Sequence, residues 1–231
     1  MKIKKKELDE TIVVGIDPSL NGTGIVLMQN FKVLDYFFFT NIVNNSKTKH
    51  AILNREVGIS RLCAIHDWFY EFLNNYQPNY ASIENYAFGA KSNSVFQIGG
   101  LGEIIRLCLY KSGIPYKEYE PSRIKKYAIG KGNAEKSEMV VAALKDGFDT
   151  SQYGKSGEDL ADAYFIAQML NNEIFIHKNK EYLETLNSKR QEVFSDVTKS
   201  FPIPLLNRPF ITKQRWLIWE GSLLPHFFMD I

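Results

Sequence analysis

Several common chemistries are excluded by what this chain has little of. It carries two cysteines, Cys63 and Cys108, without CxxC spacing. That excludes a disulfide framework and a thiolate zinc site. Both lie in apolar, helix-like surroundings and are expected to be buried thiols in a reducing compartment. The four histidines show no zinc-like spacing. No apolar run reaches the ~20 residues of a membrane-spanning helix. The segment Met1-Lys2-Ile3-Lys4-Lys5-Lys6 is charged but lacks the apolar stretch of a secretory signal. A cytoplasmic location is therefore expected. The net charge of +2 is close to zero and does not by itself announce a polyanionic partner.

The distribution of charge says more. Residues 105–145 hold nine Lys or Arg and four Glu, a local net charge of +5. A basic stretch in a nearly neutral protein suits a polyanion. A chain of 231 residues is long enough for one sizeable domain and an appendage.

Hydrophobic patterning predicts a mixed α/β order. Residues 11–17 are β-branched and apolar and read as a buried strand. Gly22-Thr23-Gly24 turns into a second strand near 24–30, and Asn30-Phe31 turns into a third near 32–40. Residues 41–50 are polar and loop-like. A helix is expected at about 50–75, stopped by Pro78, then a short strand at 80–84 and a loop at 85–93. A helix at 94–112 contains Gly99, Gly100 and Gly102, unfavourable unless another backbone packs closely there. A strand at 115–119, helices near 121–128 and 135–146, a Gly/Ser-rich loop at 147–157 and a helix at 158–171 complete the series. Residues 178–199 read as one charged helix. Beyond them lies a tail with Trp216, Trp219, Leu223, Leu224, Phe227 and Phe228. It is too apolar for solvent and is expected to dock on the core, a sister subunit or a partner.

Acids stand at three separated places in this series. Asp17 ends the first strand, Glu84 ends the fourth, and Asp159 and Asp162 share one face of the 158–171 helix. Each alone suits a turn, a helix cap or a solvated face. Together, acids at buried strand ends would repel one another unless a cation compensates them. An all-oxygen set suits Mg²⁺, and a pair of such ions suits cleavage of a phosphodiester. Glu158 points about 100° away from Asp159 and is expected to support or cap.

The ordered motifs Gly15-Ile16-Asp17-Pro18-Ser19 with Thr23-Gly24, Ile83-Glu84-Asn85, Ala90-Lys91, Gly99 with Gly102-Glu103, Ile124-Lys125-Lys126, Gly130-Lys131-Gly132, Ala134-Glu135-Lys136-Ser137 and Asp159-Leu160-Ala161-Asp162-Ala163 resemble the RuvC family of Holliday-junction resolvases. The resemblance covers residues 11–170 and is nearer in style to phage-encoded members than to bacterial ones. It implies a ribonuclease H-like α/β fold, with a mixed five-stranded sheet flanked by helices, over 11–172. A C-terminal extension would occupy 173–231. It also implies two Mg²⁺ ions, with Mn²⁺ as substitute, held by Asp17, Glu84, Asp159 and Asp162. Lys136 would act near the scissile phosphate and Lys125 would contact DNA. Lys91, Arg123, Lys126 and Lys131 are further phosphate-contact candidates. The family places an aromatic in the loop after the second acid, and Tyr86 or Phe88 would fill that place. The implied partners are four-way or other branched DNA and a second copy of the chain, in a cytoplasm (the host's, for a phage protein). The alternatives are a nuclease acting on RNA–DNA hybrid, a non-catalytic nucleic-acid-binding protein of the same fold, and an actin-like ATPase. The last would need a second nucleotide-binding lobe that this length hardly allows.

Overall fold

Strand β1 (Ile12–Asp17) sends alternate side chains to opposite sides of the sheet, and the molecule is arranged around that alternation. The computed structural model describes residues 11–20, 22–41, 49–86 and 94–200; the side chains of 94, 95 and 196–200 also lie outside the description. β1 pairs antiparallel with β2 (Gly24–Gln29), which pairs antiparallel with β3 (Lys32–Thr40). The β2–β3 turn puts Asn30 at φ 48° and Phe31 at φ 64°, the left-handed pair of a tight hairpin. A bulky residue is strained there. The Phe31 ring is held against Phe175, with centroids 5.2 Å apart.

β4 (Ala51–Leu53) adds parallel to β3 at one edge. On the other side β5 (Tyr80–Glu84) pairs parallel with β1, and β6 (Tyr116–Tyr119) pairs parallel with β5. The sheet therefore has six strands in the order β4-β3-β2-β1-β5-β6, one more than the five expected. A three-residue strand is too short to show alternation. It exists because Phe38 donates to the His50 carbonyl and Asn54 to that of Thr40. The same segment delays α1 (Gly58–Tyr76), which was expected to start near residue 50. Buried Asn54 bonds the Arg61 carbonyl and the Glu56 amide, and so holds the turn before the helix.

α1 ends with Gln77 at φ 45°, its amide bonded to the Leu73 carbonyl, just before Pro78. That is a left-handed stop followed by a residue that cannot continue the helix. α1 and α2 (Ser94–Lys111) cover one face of the sheet. The other carries α3 (Pro121–Ile129), α4 (Lys136–Lys145), a 3₁₀ turn (Ser151–Tyr153) and α5 (Lys155–Lys178). α5 begins three residues earlier and runs further than the 158–171 helix expected. It passes through position 172 without a break.

The charged helix expected over 178–199 is two, α6 (Tyr182–Thr185) and α7 (Ser188–Ser200). Asn187 separates them because its side chain accepts the Arg190 amide at 3.0 Å, an N-cap bond. Val193 and Phe194 are fully buried, with the Phe194 ring edge-on to Tyr127 of α3. Residues 201–231, including the aromatic tail, lie outside the described residues. Cys108 is buried, but Cys63 is exposed, contrary to expectation. Helix α1 buries Ile65, Phe69, Phe72 and Leu73. Cys63 stands about 200° around the helix from Ile65.

Candidate active site

Gly15 of β1 and Gly24 of β2 place α5. A Cβ on Gly15 would stand 2.3 Å from the Ala163 carbonyl oxygen, and one on Gly24 would stand 2.4 Å from that of Asp159. The helix backbone thus lies directly on the sheet, and Ser82 of β5 adds a hydrogen bond to the Ile166 carbonyl at 3.0 Å. This seating fixes the first turns of α5 over the ends of β1 and β2.

Asp17 points to the same face as Gly15, two residues away on β1. Glu84 shares the face of Ser82 on β5, and the parallel register sets Gly15 beside Ser82 and Ile16 beside Ile83. Asp17 and Glu84 therefore end adjacent parallel strands side by side, and their carboxyls are hydrogen-bonded to each other. Asp159 and Asp162 descend onto them from α5. Asp17, Asp159 and Asp162 are buried and Glu84 is partly so. All four acids that the sequence singled out meet at one place.

Their protonation shows the strain of that meeting. Burial, then Glu84 and Asp159, push Asp17 well above the usual carboxylate range. Burial raises Glu84, with Asp162 adding to it and Lys136 opposing. Burial and the charge of Asp17 push Asp162 up to about 8. Burial also raises Asp159, against the opposing pull of Lys136.

Among the described residues Lys136, at the first position of α4, is the cation that pairs with these acids. Its Nζ donates to Asp159 Oδ1 at 2.8 Å and lies 3.9 Å from Asp162 Oδ2, while half its side chain remains exposed. Desolvation works against its charge, but Asp159, Asp17 and Asp162 outweigh it and raise its pKa. Lys125 of α3 reaches the site electrostatically, lowering Glu84 and Asp162. Among the described residues no three His, Cys, Asp or Glu side chains are closed into a ready coordination sphere. The Lys136 ammonium spans the gap between Asp159 and Asp162. The donor set is nonetheless all carboxylate oxygen with too little positive charge, which fits a hard divalent cation.

A family model described as crossover junction endodeoxyribonuclease RuvC matches residues 13–169. The chain belongs to the RuvC family. Crossover junction endodeoxyribonuclease RuvC of Brucella anthropi is 31% identical over 166 residues, 69% of this chain and 88% of the relative. Thermus thermophilus RuvC, solved in complex with Holliday junction substrate, superposes with a TM-score of 0.55 at 21% identity, over 73% of this chain and 96% of that one. The yeast mitochondrial Holliday junction resolvase superposes at 0.50 with 13% identity, over 75% and 84%. At those identities the two structures speak for the shared fold.

In this RuvC-family chain the other expected contact residues are dispersed. Lys126 pairs with Glu192 of α7 at 2.5 Å, and Lys131 with Glu138 at 2.7 Å. Arg123 stands near Lys117. Two members of the basic stretch are buried: Arg106 binds Glu118 at 2.6 Å, and Lys117 binds Glu173. Glu118 and Glu138 are already counted in the +5, so the pairs with Glu173 and Glu192 lower the stretch to +3. Phe88 and Lys91 lie outside the described residues. Tyr86 is held against α2, where Arg106 Nη1 donates to its hydroxyl at 2.6 Å.

Three supporting features were missed. Ser19 hydrogen-bonds Asp159, and Thr23 closes the loop after β1 through its Oγ1–Ser19 carbonyl bond of 2.7 Å. The Ser19-to-Thr23 spacing was a usable signal for that loop. Asn85 reaches Glu120 at 2.9 Å, for which no signal existed. The glycines of α2 also have a different reason from the one expected. Among the described residues no backbone approaches them: Gly99 meets nothing within 4 Å and Gly100 only a Leu62 methyl at 3.8 Å, whereas a Cβ on Gly102 would stand 2.5 Å from the Tyr86 hydroxyl.

Proposed function

We propose that this chain is a divalent-metal-dependent endodeoxyribonuclease that nicks four-way DNA junctions as a homodimer. The observation that carries the reading is the convergence of Asp17, Glu84, Asp159 and Asp162 beside a half-exposed Lys136, in a chain of the RuvC family. Its relatives are named crossover junction endodeoxyribonucleases, and one structural neighbour holds a Holliday junction. A two-fold dimer would present two such sites to the two-fold symmetry of a four-way junction.

The four carboxylates would hold Mg²⁺, with Mn²⁺ as substitute, as a pair of ions. When bound, these supply charge that stabilises the attacking and leaving oxygens of in-line hydrolysis, leaving 5′-phosphate and 3′-hydroxyl ends. The residues do the rest. Asp17 and Glu84 form a floor fixed by two strands. Asp159 and Asp162 are fixed over it by the Gly15 and Gly24 contacts. Lys136, anchored on Asp159 and exposed towards solvent, would hold a phosphate oxygen and place the scissile bond above the acids. Lys125 would hold a neighbouring phosphate. The buried surroundings exclude bulk water from the acids and strengthen each of these charge interactions.

The test uses labelled four-way, three-way, flap, linear duplex and RNA–DNA hybrid substrates in Mg²⁺, in Mn²⁺ and in EDTA. The expected result is paired nicking of the four-way junction, ligatable afterwards, with no cutting in EDTA. Equal cutting of linear duplex, a preference for hybrid, or no cutting with either metal would overturn the proposal.

A further inference from the structure

We propose that Tyr86 is a positioning residue that fixes Glu84 from inside the protein, by locking the end of β5 onto α2. The inference rests on the nuclease reading for its consequence, and on geometry for its substance.

The chain leaving Glu84 is fastened in two directions within two residues. Towards α3, the Asn85 amide donates to the Tyr119 carbonyl at 2.9 Å and its side chain donates to Glu120 Oε1 at 2.9 Å. The Asn85 Oδ1 also takes the Tyr86 amide at 2.8 Å, which sets the direction of the next side chain. Towards α2, the Tyr86 hydroxyl accepts from Arg106 Nη1 at 2.6 Å and donates within reach of Glu103 Oε1 at 2.8 Å and the Gly99 carbonyl at 3.0 Å. Arg106 also covers the Tyr86 ring, 4.5 Å from its centroid, and is pinned through Nε to Glu118 of β6 at 2.6 Å. Arg106 is buried, so this guanidinium is spent inside the protein.

The helix residue that faces these bonds agrees with them. Gly102 lies mid-helix, where glycine is unfavourable by about 1 kcal/mol relative to alanine. A Cβ there would meet the Tyr86 hydroxyl at 2.5 Å, Arg106 Nη1 at 2.7 Å and Tyr86 Cε1 at 2.9 Å. The helix gives up a side chain at the one turn where Tyr86 docks. Tyr86 therefore ties Glu84 to α2 and, through Arg106 and Glu118, to the neighbouring strand β6. An aromatic held this way has its hydroxyl and one ring face engaged by protein.

The experiment compares Tyr86→Phe, Gly102→Ala and Arg106→Lys in the full chain, with Gly100→Ala as a helix control. Mn²⁺ affinity is read by electron paramagnetic resonance, Mg²⁺ dependence by single-turnover junction cleavage, and junction affinity by binding in EDTA. Removing support behind a metal ligand changes affinity or activity by about 10–100-fold. Tyr86→Phe and Gly102→Ala should each weaken Mn²⁺ binding and raise the Mg²⁺ needed for half-maximal cleavage within that range. Junction affinity in EDTA should stay as in the unmodified protein, and Gly100→Ala should match the unmodified protein throughout. Unchanged Mn²⁺ affinity and Mg²⁺ requirement in Tyr86→Phe would overturn the proposal. So would a Tyr86→Leu variant that loses junction affinity while keeping its Mn²⁺ affinity, since that is the behaviour of a DNA-contacting ring. If the unmodified protein binds Mn²⁺ but cuts nothing, the nuclease reading fails, and the Mn²⁺ affinities alone decide the role of Tyr86.

Discussion

The two faces of the sheet are made by the same strands and built to different rules. Towards α1 and α2, Val14, Ile16, Ile25, Leu27, Phe39 and Ile83 meet Ile65, Phe69, Phe72 and Leu73 in an apolar layer. Its aromatics pack ring on ring, as Trp68 does on Phe72 at 5.3 Å. Towards α5, Val13, Val26, Met28 and Phe38 build a second apolar core, but the same face of the strands also carries Gly15, Asp17, Gly24, Ser82 and Glu84. There the helix is buried along nearly its whole length, yet it carries Asp159, Asp162, Gln168, Asn171, Asn172 and Glu173 inside. One face is filled with volume for stability. The other has an apolar core too, but gives up volume at Gly15 and Gly24, so that backbone meets backbone and four acids come together.

The sharpest break of this contrast is at the acids. Asp17→Asn, Glu84→Gln, Asp159→Asn and Asp162→Asn should each lower single-turnover junction cleavage on the order of 10³-fold, the loss of several kcal/mol of transition-state stabilisation. Junction binding in EDTA should be retained, because it depends on basic groups. Near-normal nicking by any two of these variants would sink the assignment. Phe69→Leu on the other face should change melting temperature and leave the rate alone.

The next effect tests close approach against filling. Gly15→Ala pushes a methyl into α5 backbone and should destabilise by about 3 kcal/mol, whereas Ile16→Val, one residue along and on the other face, should cost about 1 kcal/mol. Urea unfolding of the pair checks this. Equal losses would mean that the helix can lift freely and that Gly15 does not set its seat.

Acidity offers a third test. Asp162 holds its proton up to about 8 in the fold, against 3.8 for a free side chain. Between those values the native state binds a proton that the unfolded chain has released, so stability of the metal-free protein should fall as pH rises from about 4 to 8. Mg²⁺ should restore stability at the upper end, where the carboxylates must ionise to bind it. Asp162→Asn should flatten the pH dependence. Thermal melts in EDTA and in Mg²⁺ measure it, and a metal-free protein that gains stability across this window would contradict the raised acidity.

The smallest effects are on the surface lysines. Lys126→Ala and Lys131→Ala remove exposed ion pairs to Glu192 and Glu138 and should change stability by about 0.5 kcal/mol or less. Lys125→Ala should weaken junction binding and reduce its salt slope by about one. A larger salt-slope change from Lys126 than from Lys125 would reverse their assigned order.

Much of this was legible in the residues. Asp17 and Glu84 stand out because an acid closing an apolar strand conflicts with burial. Asp159 and Asp162 stand out because three residues apart they share a helix face. The turn at Asn30 and the helix stop at Pro78 follow from local conformational preference, whereas Phe31 is held in its turn by Phe175. Less visible were β4, too short for any period, and the division of α6 from α7, which rests on one cap bond at Asn187. The exposure of Cys63 depends on which side of α1 faces the sheet. The charge of residues 105–145 overstated the free cations by two, because Lys117 and Lys126 find their acids outside the stretch, at Glu173 and Glu192.

The sequence by itself determined the order of all the strands but β4 and of the helices up to α5, the family, and the identity of the four acids, since alternation, helical spacing and motif order are properties of neighbouring residues. Only the tertiary structure decided which lysines face the acids, why Gly15, Gly24 and Gly102 must be small, and that Tyr86 turns inward to Arg106. Those depend on the distance between segments remote along the chain, which packing sets and local pattern does not encode.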